Sequence, residues 1–399
     1  MENPKRRKMC QLNDNNKIVP VLSIESLPNE IFMNIFSNLN IKDLFICAQV
    51  SKKFRQISYD KSFWKCVNLF NQKVSCELIA HIIKLGSEYL NLQEAKLYID
   101  AYADIPPKNN LKYLNLALSS VDDRFLVRLL RSSVSLEKIS LTGVNYEHLY
   151  GTYERDDEEP EEKDFEHEEL MLEVRRSWYI DCLLPNARML TSLDLSNTQP
   201  YYGMLNFESI KMIVLNCLEL REASFRNQFK SQFSRQYSDM KFFVKNLTPK
   251  IEKLNISYNS DFTDRYIVPL LQRCKNITEL DLKKCDLDRD RFDFHLPPDE
   301  NQKCLIAISK HLSQSLVKLQ LPDHSFLYHE FIKSLPKLRY LWKEPWINGE
   351  DGTEIMEEYP QISFNQGTAK IAHCANEYFE PEQGFWELKC TAVDLSRTR

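Results

Sequence analysis

Eleven cysteines and eight histidines are the side chains able to ligate a metal or act as nucleophiles, and their spacing supports neither role. The cysteines stand at 10, 47, 66, 76, 182, 217, 274, 285, 304, 374 and 390, with no two closer than ten residues. A redox dithiol or a zinc knuckle needs paired ligands only a few residues apart, and no such pair occurs. H-E-x-x-H and the known nucleophile motifs are missing as well. So are both glycine-rich phosphate loops, in keeping with only 8 glycines in 399 residues. No catalytic residue, metal or cofactor is expected, and the chemistry that remains is recognition of other proteins.

Composition narrows the partners. The net charge is −5, which argues against a nucleic-acid polymer. No apolar run approaches the roughly 18 residues of a membrane span, so no membrane partner is expected either. Scattered, odd-numbered cysteines read as reduced thiols, hence an intracellular chain. The run Pro4-Lys5-Arg6-Arg7-Lys8 has the look of an import signal or of a solvated charge cluster, and the expected location is nucleus and cytoplasm.

Residues 1–22 are polar and basic and are expected to form a disordered tail. Residues 23–70 change character. Ile31, Ile35, Phe36 and Leu39 recur at helical spacing after Asn29, which can serve near an N-cap. Leu44, Phe45, Ala48 and Val50 suggest a second helix, Phe54 and Ile57 a third, and Phe63 and Trp64 follow. Fewer than fifty residues cannot bury so many large side chains among themselves. Some must face a partner or the next domain.

From about residue 90 to 364 an L-x-x-L-x-L pattern recurs, within a repeat domain expected over 71–364. It appears as Leu92-Ala95-Leu97, Leu111-Leu114-Leu116, Leu136-Ile139-Leu141 and Leu190-Leu193-Leu195. It returns as Leu220-Ala223-Phe225, Ile251-Leu254-Ile256, Ile277-Leu280-Leu282 and Leu316-Leu319-Leu321. A degenerate Leu338-Leu341 unit and Tyr359-Ile362-Phe364 make about ten. Each unit is expected to supply one short parallel strand and a return segment, usually helical, and stacked units share one core. Asn197 and Cys285 are assigned to the polar slot after their strands. Two intervals hold insertions: 286–303, and an acidic stretch near 153–169 whose residues 154–169 carry eleven acidic side chains. The acidic run is expected to be a disordered loop.

Residues 25–70 closely resemble an F-box, through Leu27-Pro28-x-Glu30-Ile31, Ile35-Phe36-x-x-Leu39, Asp43-Leu44, Val50 to Arg55 and Phe63-Trp64. With the repeats behind it, the chain resembles the F-box/leucine-rich-repeat substrate receptors of SCF ubiquitin ligases. The resemblance implies an α/β fold: a three-helix F-box, then a curved solenoid with parallel strands on its concave face and helices outside. It implies a non-catalytic subunit that binds the adaptor S-phase kinase-associated protein 1, and through it cullin and RING subunits. The implied adaptor-binding residues are Leu27, Pro28, Ile31, Ile35, Phe36 and Leu44. Trp64 either joins them or plugs the seam between F-box and first repeat. A protein substrate, phosphorylated or not, is the other implied partner, with a small cyclin-dependent-kinase regulatory subunit as a candidate accessory. A scaffold whose F-box acts outside a ubiquitin ligase is the alternative.

Strand side chains alternate, so the residues between the leucines should line the open face. That row runs Lys96, Asn115, Ser140, Asp194, Ser224, Asn255, Asp281, Gln320 and Trp342. The substrate-binding candidates within and beside it are Asn255, Asp281, Gln320, Tyr340, Trp342 and Trp346, the aromatics serving either as anchors or as a cap. Arg226, Lys253, Lys283 and Lys318 flank the row and could hold an acidic segment, although Glu222, Glu279 and Asp281 interleave with them. The resemblance, through the stretches 345–353, 357–372 and 385–390, also implies that a C-terminal tail, residues 365–399, folds back on the repeats.

Overall fold

Short polar side chains decide where the first helices start. Asn40 accepts the Asp43 N–H at 2.9 Å, Ser51 accepts that of Phe54 at 3.2 Å and Asp60 accepts that of Ser62 at 2.9 Å. Each satisfies a donor that helix geometry leaves orphaned. The computed structural model describes residues 10–12, 18–20, 24–98, 103–147, 182–197, 207–229, 236–287, 303–322, 329–343 and 357–364. The chain divides into two units, Met1–Val67 with Leu388–Arg399, and Asn68–Glu387.

The first unit opens on strands β1 (Cys10–Leu12) and β2 (Ile18–Pro20), paired antiparallel. These two strands depart from the expectation of disorder; the rest of residues 1–22 lies outside the described residues. Apolar Leu12, Ile18 and Val19 favour such a paired ladder. Helices α1 (Asn29–Phe36), α2 (Ile41–Val50), α3 (Lys52–Ser58) and α4 (Lys61–Trp64) follow. Asn29 does not cap α1: the N-cap position is Pro28, with no side-chain bond. Phe32, Phe36 and Phe54 meet edge to face with centroids 5.0–5.9 Å apart, and this aromatic triangle is the centre of the helical packing.

The second unit is mixed α/β, built on parallel sheets. An eleven-stranded sheet runs in chain order, so each strand pairs only with the one before and the one after it. Its members are β3 (Cys66–Asn68), β5 (Tyr89–Asn91), β7 (Tyr113–Asn115), β9 (Lys138–Ser140), β11 (Ser192–Asp194) and β12 (Glu222–Ser224). They continue with β13 (Lys253–Asn255), β14 (Glu279–Asp281), β15 (Lys318–Leu321), β16 (Tyr340–Lys343) and β17 (Ser363–Phe364). The central residues, among them Leu114, Leu193, Leu254, Leu280 and Leu319, are fully buried. Helices α5 (Cys76–Lys84), α6 (Asp123–Ser132), α7 (Phe207–Asn216), α8 (Gln236–Asn246), α9 (Asp264–Arg273), α10 (Lys303–Leu312) and α11 (His329–Lys333) return the chain. In α6 the buried positions Phe125, Leu126, Leu129 and Leu130 form one stripe, and Asp122 caps the helix by accepting the Phe125 N–H at 3.0 Å.

Not every return is helical alone. Strands β4 (Lys73–Ser75), β6 (Lys96–Tyr98), β8 (Ser120–Asp122) and β10 (Asn145–Glu147) make a second, four-stranded parallel sheet. This corrects the unit at Leu92-Ala95-Leu97. Leu97 belongs to the second sheet, and the main-sheet strand is Tyr89–Asn91 with Leu90 and Leu92 buried. The residue in register with Asn115 is therefore Asn91, not Lys96.

The main-sheet strands from β5 to β14 are followed by one kind of turn. Asn91, Asn115, Asp194, Asn255 and Asp281 accept the N–H two residues on at 2.9–3.1 Å. Three residues after this column the backbone turns left-handed, at Glu94, Leu118, Gly143, Asn197, Asn227, Tyr258 and Lys284, with φ between 49° and 58°. The N–H groups thus turned outward bond the next unit, as from Leu118 to the Thr142 carbonyl at 2.7 Å and from Tyr258 to that of Lys283 at 2.7 Å. Asn197 is one of these left-handed residues, which corrects its assignment to the polar slot one position later. Asn259 fills that slot.

Candidate functional site

In the helical unit, α1 separates two faces. Phe32 and Phe36 point into the aromatic triangle, whereas Ile31 and Ile35 are 44% and 45% exposed. Pro28 is exposed too, one turn before Ile31, and Leu27 is half-buried with its carbonyl accepting Lys53 Nζ at 2.6 Å. Three further apolar residues are more exposed: Ile24 at 60%, Ile46 at 61% and Val50 at 63%. Sequence reasoning missed Ile24 and Ile46 as surface groups. The signal was the i, i+4 pair Ile46 and Val50 on α2, out of phase with buried Leu44 and Ala48. Isolated exposed aliphatic side chains are ordinary; four isoleucines and Val50 within about thirty residues of one unit point to a partner.

Three of the seven adaptor candidates are core. Phe36 and Leu44 are buried, and Trp64 has no exposed surface at all. The Trp64 indole N–H donates to the Ser58 carbonyl at 2.8 Å, and its ring packs near Phe45 and Tyr59. These three support the helices that present Ile31 and Ile35, and offer no free surface themselves.

On the sheet, the strand register aligns Ser140, Asp194, Ser224, Asn255, Asp281, Gln320 and Trp342 in one row. The row exists, but most of it is not open. Asn255 and Asp281 are buried and engaged in the turns just described, which corrects their reading as solvent-facing recognition groups. The chain bends back immediately after the strand, so a short carboxylate or amide there meets its own backbone before it meets a partner. Trp342 is only 4% exposed, with Lys283 Nζ 4.0 Å above its ring. A covered indole under an ammonium is not an exposed anchor. Gln320 and Tyr340 are half-buried, and Trp346 lies outside the described residues.

The row two residues earlier carries alternating charge. Glu222 lies within 3.4 Å of Lys138 and 3.2 Å of Lys253, and Glu279 within 3.7 Å of Lys253 and 3.3 Å of Lys318. Half-burial works against the Lys253 ammonium, but Glu222 and Glu279 outweigh it and hold its pKa above the usual lysine value. Lys253 and Lys318 are thus committed to carboxylates of their own chain. Arg226 stacks over Tyr258 at 4.1 Å, and Lys283 stands 5.8 Å from the same ring. Burial pushes the Cys217 and Cys274 thiols up to about 12, and that of Cys285 higher still, so all three are protonated donors or inert core. Among the described residues no cluster of metal-ligating side chains occurs, and no helix is long and apolar enough to cross a membrane.

Residues 24–69 match the family model described as F-box-like, and the helical unit with its exposed isoleucines is the part that carries the match. Over 100 residues the chain is 46% identical to the ubiquitin ligase complex F-box protein UFO1 of Saccharomyces cerevisiae. The aligned part is 23% of this chain and spans 15% of the length of that curated relative. Among solved structures, a Caenorhabditis elegans tropomodulin C-terminal domain is similar at 15% identity and a TM-score of 0.24, covering 33% of this chain and 73% of its own. A chain of the octameric complex of Latrophilin 3, Unc5D and FLRT2 (LRR) is similar at 11% identity and a TM-score of 0.30, covering 75% and 82%. At those scores neither likeness bears on the fold.

Proposed function

We propose that this chain is the non-catalytic substrate-recognition subunit of an SCF ubiquitin ligase. Its F-box docks on S-phase kinase-associated protein 1, and the adaptor brings cullin and RING subunits. The observation that carries the reading is the set of exposed isoleucines on the helical segment that matches the F-box-like family. In this reading the second unit is a curved leucine-rich-repeat solenoid whose strand face holds a protein substrate near the charged ubiquitin-transfer enzyme. The gain is effective concentration, not bond chemistry.

A finer likeness is to S-phase kinase-associated protein 2, with cell-cycle regulators as substrates, a small kinase-regulatory subunit as accessory, and action in nucleus and cytoplasm. The C-terminal tail, residues 365–399, lies outside the described residues. Gln320 and Tyr340 remain as substrate contacts.

The test is co-purification of adaptor and cullin with the full chain and with Ile31→Ala/Ile35→Ala. Both side chains are nearly half exposed, so the truncation should leave the melting temperature close to wild type. Removing two such contacts from an interface should weaken adaptor binding by roughly 1–3 kcal/mol, about 5- to 150-fold. Unchanged capture of the adaptor would defeat the assignment of that face.

A further inference from the structure

Strands β14, β15 and β16 run parallel and in register, so the loops that enter them lie side by side on one rim of the sheet. With the last residues of α9, α10 and α11 these loops cover 273–278, 310–317 and 333–339. They carry Arg273 and Lys275, then Lys310 and His311, then Lys333, Lys337 and Arg339, and not one carboxylate. His311 is half-buried and the others are exposed. Arg273 donates to the Leu247 carbonyl at 2.6 Å, and Arg339 to those of Pro336 and Leu338 at 3.1 and 2.8 Å, so neither guanidinium is neutralised. Among the described residues Lys275, Lys310, Lys333 and Lys337 make no ion pair. A cation in a last helical turn is the ordinary complement of the helix dipole, which accounts for Arg273, Lys310 and Lys333. It does not account for Lys275, Lys337 and Arg339, which stand beyond the helix ends, and α7 has no basic residue in its last turn at all. His311 registers the resulting field: burial first, then Lys310 and Lys275, hold its pKa below the usual value.

We propose that this rim is a docking site for a short acidic segment of another protein. Like charges crowded on one rim repel each other, and an acidic segment laid across them relieves that repulsion. Carboxylates bound the rim on both sides. In the units before it Glu219 pairs with Lys250 and Glu252 with Arg221, and Glu357 and Glu358 follow it on the terminal segment. Neighbouring loops lie between the roughly 5 Å spacing of strands and the roughly 10 Å spacing of packed helices. Three of them therefore span about 10–20 Å, the length of about three to six extended residues. A nucleic-acid strand would run past the basic units onto these carboxylates, on a chain whose net charge of −5 already repels it. None of the large apolar side chains of the three loops is exposed, so charge and not apolar area holds the segment. The rim is separate from the strand face and from the exposed isoleucines, and the inference rests on neither substrate nor adaptor binding.

The experiment is fluorescence anisotropy on the full chain, with a labelled peptide of six glutamates between Gly-Ser ends as the probe. At about 50 mM salt it should bind saturably, roughly tenfold more weakly at about 300 mM, and its six-glutamine counterpart should not bind. Lys275→Gln/Lys310→Gln should weaken binding roughly three- to tenfold, the worth of two exposed ion pairs, at an unchanged melting temperature. Lys241→Gln/Lys303→Gln removes the same charge from exposed positions inside α8 and at the opposite end of α10. It should change the affinity by less than about twofold. No binding at low salt, or equal losses in the two double variants, overturns the site. Single-stranded DNA of about twenty nucleotides that binds more tightly than the peptide, through Lys275 and Lys310, overturns the acidic segment as its occupant.

Discussion

Asn259 offers the sharpest test of the stacking logic. Its side chain is fully buried, and Nδ2 donates to the carbonyls of Ile256 at 2.8 Å, Phe225 at 2.9 Å and Ser257 at 3.2 Å. Oδ1 accepts the Phe229 N–H at 2.6 Å, so one residue ties the turn after β13 to the unit before it. Asn259→Ala strands the Phe229 N–H in a dry site, which costs about 1–3 kcal/mol. The three carbonyls are less exposed to loss, because each keeps a second donor. These are the Gln228 N–H at 3.2 Å, the Cys285 thiol at 3.2 Å and the Asn227 N–H at 3.0 Å. At the low end of roughly 0.5 kcal/mol each, they bring the total to about 2.5–4.5 kcal/mol. Urea denaturation followed by circular dichroism should show a lower midpoint at unchanged slope. Exchange protection should fall locally, over 225–229 and 253–258, because stacked units stabilise only their neighbours. A loss under about 1 kcal/mol, or protection that drops evenly along the chain, would refute the reasoning.

Two further outcomes follow from the turns and the charge row. Gly143 sits at φ 56° in the same left-handed column as Leu118 and Tyr258. Gly143→Val should therefore destabilise by about 1–2 kcal/mol in thermal melts, whereas Glu94→Gly in the equivalent turn should be neutral or mildly stabilising. Lys253 has a raised folded-state pKa, so its contribution is complete below the ordinary lysine value of about 10.5 and is lost as pH climbs through the higher folded one. Wild type should thus lose stability relative to Lys253→Met only in that alkaline window, and parallel profiles up to about pH 11 would contradict the pairing with Glu222 and Glu279.

What was legible in the sequence was whatever burial dictates. Leu254 with Ile256 and Leu280 with Leu282 announce their strands because an inward strand face tolerates little else. The helix starts were not legible in this way: the one cap expected from sequence, Asn29, lies inside α1, while Asn40, Ser51 and Asp60 are the side chains that cap. The slip at Leu92-Ala95-Leu97 arose because a strand of the second sheet, Lys96–Tyr98, shows the same alternation as one of the first. Trp342 was placed in the right row but wrongly left open, because its covering depends on Lys283, two strands away in the ladder. The left-handed residues were invisible for a different reason. Leu118, Tyr258 and Lys284 are poor choices for positive φ, and only the demand for a backbone bond to the next unit puts them there. On the helical face, Ile31 and Ile35 were found by their resemblance to a family pattern. Ile46 was not, since an exposed isoleucine and a buried one look alike in a short amphipathic helix.

The charge row has a parity. Read across the sheet it runs Lys138, Glu222, Lys253, Glu279, Lys318, with small Ser192 stepped over between the first two. Excising the single unit that holds Lys253 would bring Glu222 beside Glu279, and excising the one that holds Glu279 would bring Lys253 beside Lys318. Like charges directly opposite on neighbouring strands repel. Removing both units together would instead set Glu222 beside Lys318 and restore the alternation. In this stretch of the stack the unit of safe duplication or deletion is therefore not one repeat but two.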